Sequence, residues 1–207
     1  VFDNLQEVSP QTFVAVPRLW EKIYSRVAIR IGEATALQKW AYKRAVEAGR
    51  ARADCLAKGK PLPFIVSLAY RFWDFVVLRN LRRMIGMDRL RRGGSGAAPI
   101  SPDLLRWYHS IGVSVLEGYG MTESAGIISL NNPVKNKIGT VGTVMPGAEI
   151  RISDEGEIQY KGGNVFQGYW RNPEKTAEAF THDGWLRTGD VGVLDNRGFL
   201  TITGRLK

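Results

Sequence analysis

At Gly93 the sequence changes texture, and that change limits the folds open to the chain. Upstream, good helix formers dominate. Pro17 stands where a first-turn proline is tolerated, Leu19, Ile23 and Val27 recur at helical spacing, and Ala34–Ala57 is rich in Ala, Lys, Arg and Glu. Residues 17–58 are therefore predicted to be helical, with Gly59, Pro61 and Pro63 breaking the run before a second helix over Val66–Ile85. Downstream, short β-branched runs alternate with glycine-rich turns. Ser101 as N-cap, Pro102 at the first position and Asp103 in the first turn predict a helix over Ser101–Ser110. Val113–Leu116 then reads as a buried strand, and helix followed by buried strand is the grammar of a parallel sheet. Beyond Ile138 helical spacing recurs only around Pro173–Phe180. Strands are predicted near Glu149–Ile152, Glu157–Tyr160, Val191–Leu194 and Phe199–Thr203. The expectation is α/β: a parallel-sheet part with long helices over residues 1–131, then a small antiparallel, barrel-like part over 132–203.

Charge follows the same division. Residues 1–92 carry 18 Lys and Arg against 8 Asp and Glu, while the remainder carries 11 against 12. A basic half suits nucleic acid, an anionic membrane surface or a polyanionic small ligand, and equally a solvated helical face. The apolar positions of the second helix are interrupted by Arg71, Asp74 and Arg79, which argues against a membrane span. An amphipathic interfacial helix and a core helix both remain open for it. One cysteine, Cys55, rules out an intrachain disulfide framework and suggests a reducing, cytoplasmic compartment. The start at Val1, with neither methionine nor signal pattern, suggests an internal segment of a longer protein.

Three islands could carry chemistry. Gly93-Gly94-Ser95-Gly96-Ala97-Ala98-Pro99 has side chains small enough for backbone to approach a flat or anionic ligand, although plain turns look the same. It lacks the Gly-Lys-Ser/Thr of a Walker loop and the spacing of a dinucleotide fingerprint. Glu117–Glu123 is predicted as a loop directly after the buried strand, where open α/β sheets bind ligands. Tyr119 offers an aromatic face between Gly118 and Gly120, Thr122 a hydroxyl for a phosphate oxygen, and Glu123 a hard carboxylate suited to Mg²⁺. The third island is Gly184–Asp190 together with Gly204-Arg205-Leu206-Lys207. There Asp190 can accept from a ribose diol and Arg205 can pair with ribose or phosphate oxygens. His109 and His182 have neither metal-ligand spacing nor triad partners and are expected to serve packing or the surface.

In this order, Gly-Tyr-Gly-Met-Thr-Glu at 118–123, Trp-Leu-Arg-Thr-Gly-Asp at 185–190 and Gly-Arg-Leu-Lys at 204–207 resemble three signature segments of the AMP-forming acyl-CoA synthetases. These belong to the adenylate-forming superfamily. Val16–Ile23 and Asn164–Trp170 are similar to segments of its long-chain members, so the resemblance covers nearly the whole chain. It implies a fatty-acid–CoA ligase using ATP, Mg²⁺ and coenzyme A, by way of an acyl-adenylate. It further implies that Gly96, Ala97, Ala98 and Pro99 line adenine and the acyl tunnel entrance. Tyr119 would stack on adenine beside Glu117 and Gly118, with Gly120 and Met121 completing the nucleotide-binding segment. Thr122 would hold the α-phosphate and Glu123 the metal, the two residues expected to be catalytic. Asp190 and Arg205 would hold the ribose with Ile202 packing nearby, and Lys207 within 204–207 would be the hinge to a smaller C-terminal domain. The family's Ser/Thr/Gly-rich phosphate loop is not found between Val1 and Lys207, so the isolated chain is expected to be inactive. Departing from the usual apolar lead-in, Leu90–Gly94 is basic and glycine-rich. An aryl-CoA ligase is the alternative within the superfamily. A non-catalytic module binding nucleic acid or membrane through the basic half is the alternative outside it; nucleic acid is the less expected partner, because no basic–aromatic stacking platform is evident. Peripheral membrane contact is compatible with the enzyme.

Overall fold

The computed structural model describes residues 2–57 and 59–206, which form two compact units, Val1–Leu116 and Glu117–Lys207. The first unit runs α1 (Phe2–Val8), β1 (Thr12–Ala15), α2 (Pro17–Gly32), α3 (Ala36–Ala57) and α4 (Phe64–Trp73). A π-turn (Asp74–Leu78), α5 (Arg79–Met84), β2 (Arg92–Ser95) and α6 (Pro102–Ser110) follow. Strand β3 (Val115–Tyr119) begins in this unit and ends in the next.

The core of the first unit is built on Trp20, fully buried on α2. Its indole N–H donates to the Gly94 carbonyl of β2 at 3.2 Å, and its ring meets Phe13 and Tyr108 edge-on at 5.2 and 5.0 Å. The Tyr108 hydroxyl donates back to the Trp20 carbonyl at 2.7 Å, so two large aromatics are buried with their polar atoms satisfied. β1 and β2 pair in parallel from Thr12–Arg92 to Ala15–Ser95, and Gly93 N–H donates to the Ser114 carbonyl just ahead of β3. The basic, glycine-rich lead-in thus still forms a strand. A Cβ on Gly93 would come within 2.7 Å of that same carbonyl. α3 lies close on α6 because Gly49 has no side chain; a Cβ there would sit 1.8 Å from the Ser110 carbonyl oxygen.

Three expectations for this unit need correction. The second helix is not continuous: the π-turn takes up one extra residue, rotating everything after it by about 100° relative to an unbroken α-helix. Arg82 then reaches Asp74 at 2.7 Å and the Ile111 carbonyl at 2.8 Å. Secondly, Ser101 holds the extended N-cap conformation of α6, but its hydroxyl makes no capping bond. Thirdly, the strand after α6 starts at Val115 rather than Val113 and continues to Tyr119. His109 is a packed histidine, as expected; its Nε2 lies 2.9 Å from the Val115 carbonyl, and burial lowers its pKa. Among the described residues, no helix is long and apolar enough to cross a membrane.

In the second unit the end of β3 pairs antiparallel with β4 (Ser129–Leu130), which pairs with β5 (Thr143–Val144). A four-stranded antiparallel sheet follows: β6 (Ala148–Ile152), β7 (Glu157–Gly162), β8 (Leu186–Leu194) and β9 (Leu200–Arg205), with α7 (Pro173–Glu178) between β7 and β8. Val141 and Leu200 join the two sets through Val141 N–H to Leu200 O and Leu200 N–H to Gly142 O, both 2.8 Å. Ile128, Tyr160 and Leu186 form the core, with Met121, Val165, Phe166 and Phe180 packed around them. The parallel α/β beginning and the antiparallel continuation agree with the predicted class.

Candidate functional site

The two glycine-containing islands of the second unit are strands over much of their length. Glu117-Gly118-Tyr119 ends β3, and Leu186–Asp190 begins β8. Pairing overrides the turn preference of glycine here: Gly118 faces Leu130 across the ladder, where a Cβ would lie 3.0 Å from a leucine methyl. The chain then passes close to the Gly126 carbonyl at Gly120. A Cβ on this residue would fall 1.5 Å from the Gly126 carbonyl oxygen, so only glycine lets the backbone pass. A 3₁₀ turn (Thr122–Ser124) follows, closed by Ala125 in the left-handed region at φ 51°. The buried Ser124 hydroxyl locks it by donating to Met121 O at 2.9 Å and accepting from Met121 N–H at 3.2 Å.

Tyr119 and Asp190, 71 residues apart, are brought into contact: the phenol donates to Asp190 Oδ2 at 2.6 Å. Burial, reinforced by this bond, pushes the phenol pKa above its ordinary value, so Tyr119 stays a neutral donor. Arg205 faces Asp190 in the β8–β9 register, with its Nε 3.8 Å from Asp190 Oδ1 and most of its side chain in solvent. Asp190 N–H donates to Thr188 Oγ, itself buried and bonded to the Ile158 carbonyl. An aromatic ring, a carboxylate and a guanidinium therefore stand together, held by backbone on two sheets. That set can take a planar base, a diol and an anion. Ile202 lies on β9 opposite Gly192.

Glu117 is 8% exposed, and its Oε2 accepts from Gly139 N–H at 3.2 Å. Burial raises its pKa to about 7, with the Gly139 bond working the other way. Glu123 is tied elsewhere. Its Oε1 accepts from the Tyr169 hydroxyl at 2.6 Å, and its carbonyl from Phe166 N–H at 2.8 Å. Thr122, next to it on the turn, is exposed, whereas Met121 turns into the core. Gly96–Pro99 belongs to the first unit, where Ala97 takes a left-handed φ of 67° and Ala97–Pro99 are exposed. Lys207 lies outside the described residues. Sequence reasoning gave Tyr169 no role, although it lies within the Asn164–Trp170 segment that the family resemblance covers.

The donor set suits a divalent cation that arrives with a nucleotide. Mg²⁺ ordinarily takes one or two carboxylates, with phosphates and water for the rest, and Glu123 beside Thr122 supplies that much. Among the described residues no group of three or more His, Cys, Asp or Glu could hold a metal by itself.

Known proteins contain segments similar to this chain. It is 39% identical over 96% of its length to the long-chain-fatty-acid–CoA ligase FadD15 of Mycobacterium bovis, covering 32% of that protein. It is 35% identical over 99% of its length to the long-chain-fatty-acid–CoA ligase ACSBG2 of Xenopus laevis, covering 28%. The chain thus spans about a third of the length of the curated relatives it matches. Among solved structures, ATP-bound MatB from Rhodopseudomonas palustris matches with a TM-score of 0.53 at 37% identity, over 65% of this chain and 29% of that one. The anthranilate CoA ligase AuaEII in complex with anthranoyl-AMP matches with a TM-score of 0.53 at 28% identity, over 57% and 25%. The model of the AMP-binding enzyme family matches residues 1–170, and the chain belongs to that family.

Proposed function

We propose that the protein containing this chain is an ATP-dependent long-chain fatty-acid–CoA ligase, which forms an acyl-adenylate and passes the acyl group to coenzyme A. One observation carries the reading: the contact of Tyr119, Asp190 and Arg205, which offers a base-stacking face, a diol acceptor and a cation in one place. The names of the similar proteins favour a fatty acid over an aryl acid, since the relatives at 33–39% identity that cover nearly all of this chain are fatty-acid ligases. In this reading Tyr119 stacks on adenine, Asp190 and Arg205 hold the ribose with Ile202 beside them, and Thr122 binds the α-phosphate. Glu123 binds Mg²⁺, which supplies charge neutralisation at the reacting phosphate. Attack on phosphorus then needs positioning and charge stabilisation rather than a protein nucleophile.

The test is Asp190→Ala in the full-length protein. Losing a charged hydrogen-bond acceptor for the ribose removes about 1.5–3 kcal/mol, so ATP affinity should fall roughly 10- to 100-fold with fatty-acid-dependent pyrophosphate exchange falling alongside. Unchanged exchange would show the ribose site to be elsewhere.

Peripheral contact with an anionic membrane surface is proposed on a separate observation. Phe64, Ile65, Leu68, Phe72 and Phe75 lie exposed along one face of α4 and the π-turn, and no residue of α4 is buried. Exposed Arg71 lies at the edge of this face and exposed Arg79 follows it, in a unit rich in positive charge. An apolar stripe with a cationic border suits the boundary between headgroups and acyl chains.

A further inference from the structure

We propose that Tyr169 is a positioning residue for Glu123, fixing one carboxylate oxygen so that the other is presented to the divalent cation. The inference rests on the reading of Glu123 as the metal-binding carboxylate and adds a residue to that site.

The segment after β7 is built against the turn that carries Glu123. Asn164 donates from its side-chain amide to the Ser124 carbonyl at 2.6 Å and accepts from the buried Tyr160 hydroxyl at 2.7 Å. Phe166 N–H takes the Glu123 carbonyl at 2.8 Å. Three residues on, the Tyr169 hydroxyl takes Glu123 Oε1 at 2.6 Å. Backbone and side chain of Glu123 are therefore gripped by one strap. Tyr169 is itself anchored: its N–H donates to Thr176 Oγ at 2.9 Å, and its ring meets Phe166 edge-on at 4.9 Å, with Phe166 stacked on Phe180. Gly168, at φ 143°, admits this path; a Cβ there would press to 2.6 Å from the Thr176 methyl.

The chemistry of the contact is specific. Glutamate has three side-chain torsions, and an untethered carboxylate on a half-buried turn residue samples many orientations that miss the cation. A phenol donor selects among them without adding a charge that would compete with the metal, as a lysine or arginine would. With Oε1 committed, Oε2 is left for coordination, an outer-shell arrangement whose loss typically weakens metal affinity tenfold or more.

The experiment compares wild type, Tyr169→Phe and Glu123→Gln in the full-length protein. Mn²⁺ serves as the probe, and its binding to the protein–ATP complex is read by electron paramagnetic resonance. ATP binding without divalent ions is measured in parallel, and melting checks that each variant folds. The expected result for Tyr169→Phe is a Mn²⁺ affinity weakened about tenfold, metal-free ATP affinity unchanged, and the Mg²⁺ concentration for half-maximal activity raised to match. Unchanged Mn²⁺ affinity in Tyr169→Phe, with a clear loss in Glu123→Gln, would overturn the positioning role and leave the metal role of Glu123 intact. Unchanged affinity in both would overturn the metal assignment itself. Equal loss of metal-free and metal-dependent ATP binding would mark Tyr169 as purely structural and also overturn the inference.

Discussion

Burying Glu117 should leave a measurable pH signature. Its carboxyl ordinarily ionises near 4.5, and in the folded protein burial raises this to about 7. Between those values the folded state holds a proton that the unfolded chain has released. Stability therefore falls as pH rises through that window and levels off above it. Each pH unit of difference is worth about 1.4 kcal/mol, so the total is on the order of 3 kcal/mol. Glu117→Gln removes the titration while keeping a carbonyl oxygen for Gly139 N–H. Denaturant unfolding of both proteins from pH 4 to pH 8 isolates the effect, because every other titrating group cancels in the difference. The variant should gain on the wild type by up to about 3 kcal/mol across this range, with most of the change between pH 5 and 7. Parallel stability curves would refute the argument, showing Glu117 to be solvated well enough to ionise normally.

The remaining expectations concern the turn and the exposed helix. Gly120→Ala drives a methyl into the Gly126 carbonyl, and the clash should cost about 2–3 kcal/mol, read as a lowered Tm, with loss of ATP binding. A Tm unchanged from wild type would mean the turn opens freely. Replacing Phe64, Phe72 and Phe75 together by Ser should abolish co-sedimentation with anionic vesicles while leaving ATP binding intact. Equal partitioning of variant and wild type, or of wild type on anionic and neutral vesicles, would sink the membrane reading.

Much of the fold was legible because it rests on local signals. Pro17 and the Leu19, Ile23, Val27 spacing marked α2, and the turns at Gly156 and Gly198 sit between strand pairs where glycine with positive φ is wanted. The sequence misled where long-range pairing outweighs local preference. Gly118 reads as a turn residue, yet it lies in a strand because Leu130 across the ladder completes it, whereas Gly189 keeps a left-handed φ of 71° where the β7–β8 register shifts within β8. β1 is four residues long and is specified by its pairing with β2, 80 residues away, so its own pattern was too short to read. The π-turn carries no residue signature at all; only the buried Leu78 at its end and Leu81 after it reveal the rotation. In the candidate site, Tyr119, Asp190 and Arg205 were found by motif. The Tyr169–Glu123 bond joins residues 46 positions apart with no periodicity to connect them. Such a contact is written in the tertiary fold, beyond the reach of spacing arguments.

With nucleotide bound at Tyr119 and Asp190 as proposed, the bond between them also makes folding and recognition one event. The two residues come from different sheets and meet only after the intervening 70 residues have found their places, a loop closure that comes late and is entropically costly. A nucleotide that touches both finds nothing to hold in a half-formed chain. It binds the finished unit alone, and by mass action stabilises it in proportion to RT ln(1 + [L]/Kd). On that proposal ligand concentration acts as a quality check: molecules that have closed this joint are stabilised by bound nucleotide, and those that have not are left to unfold.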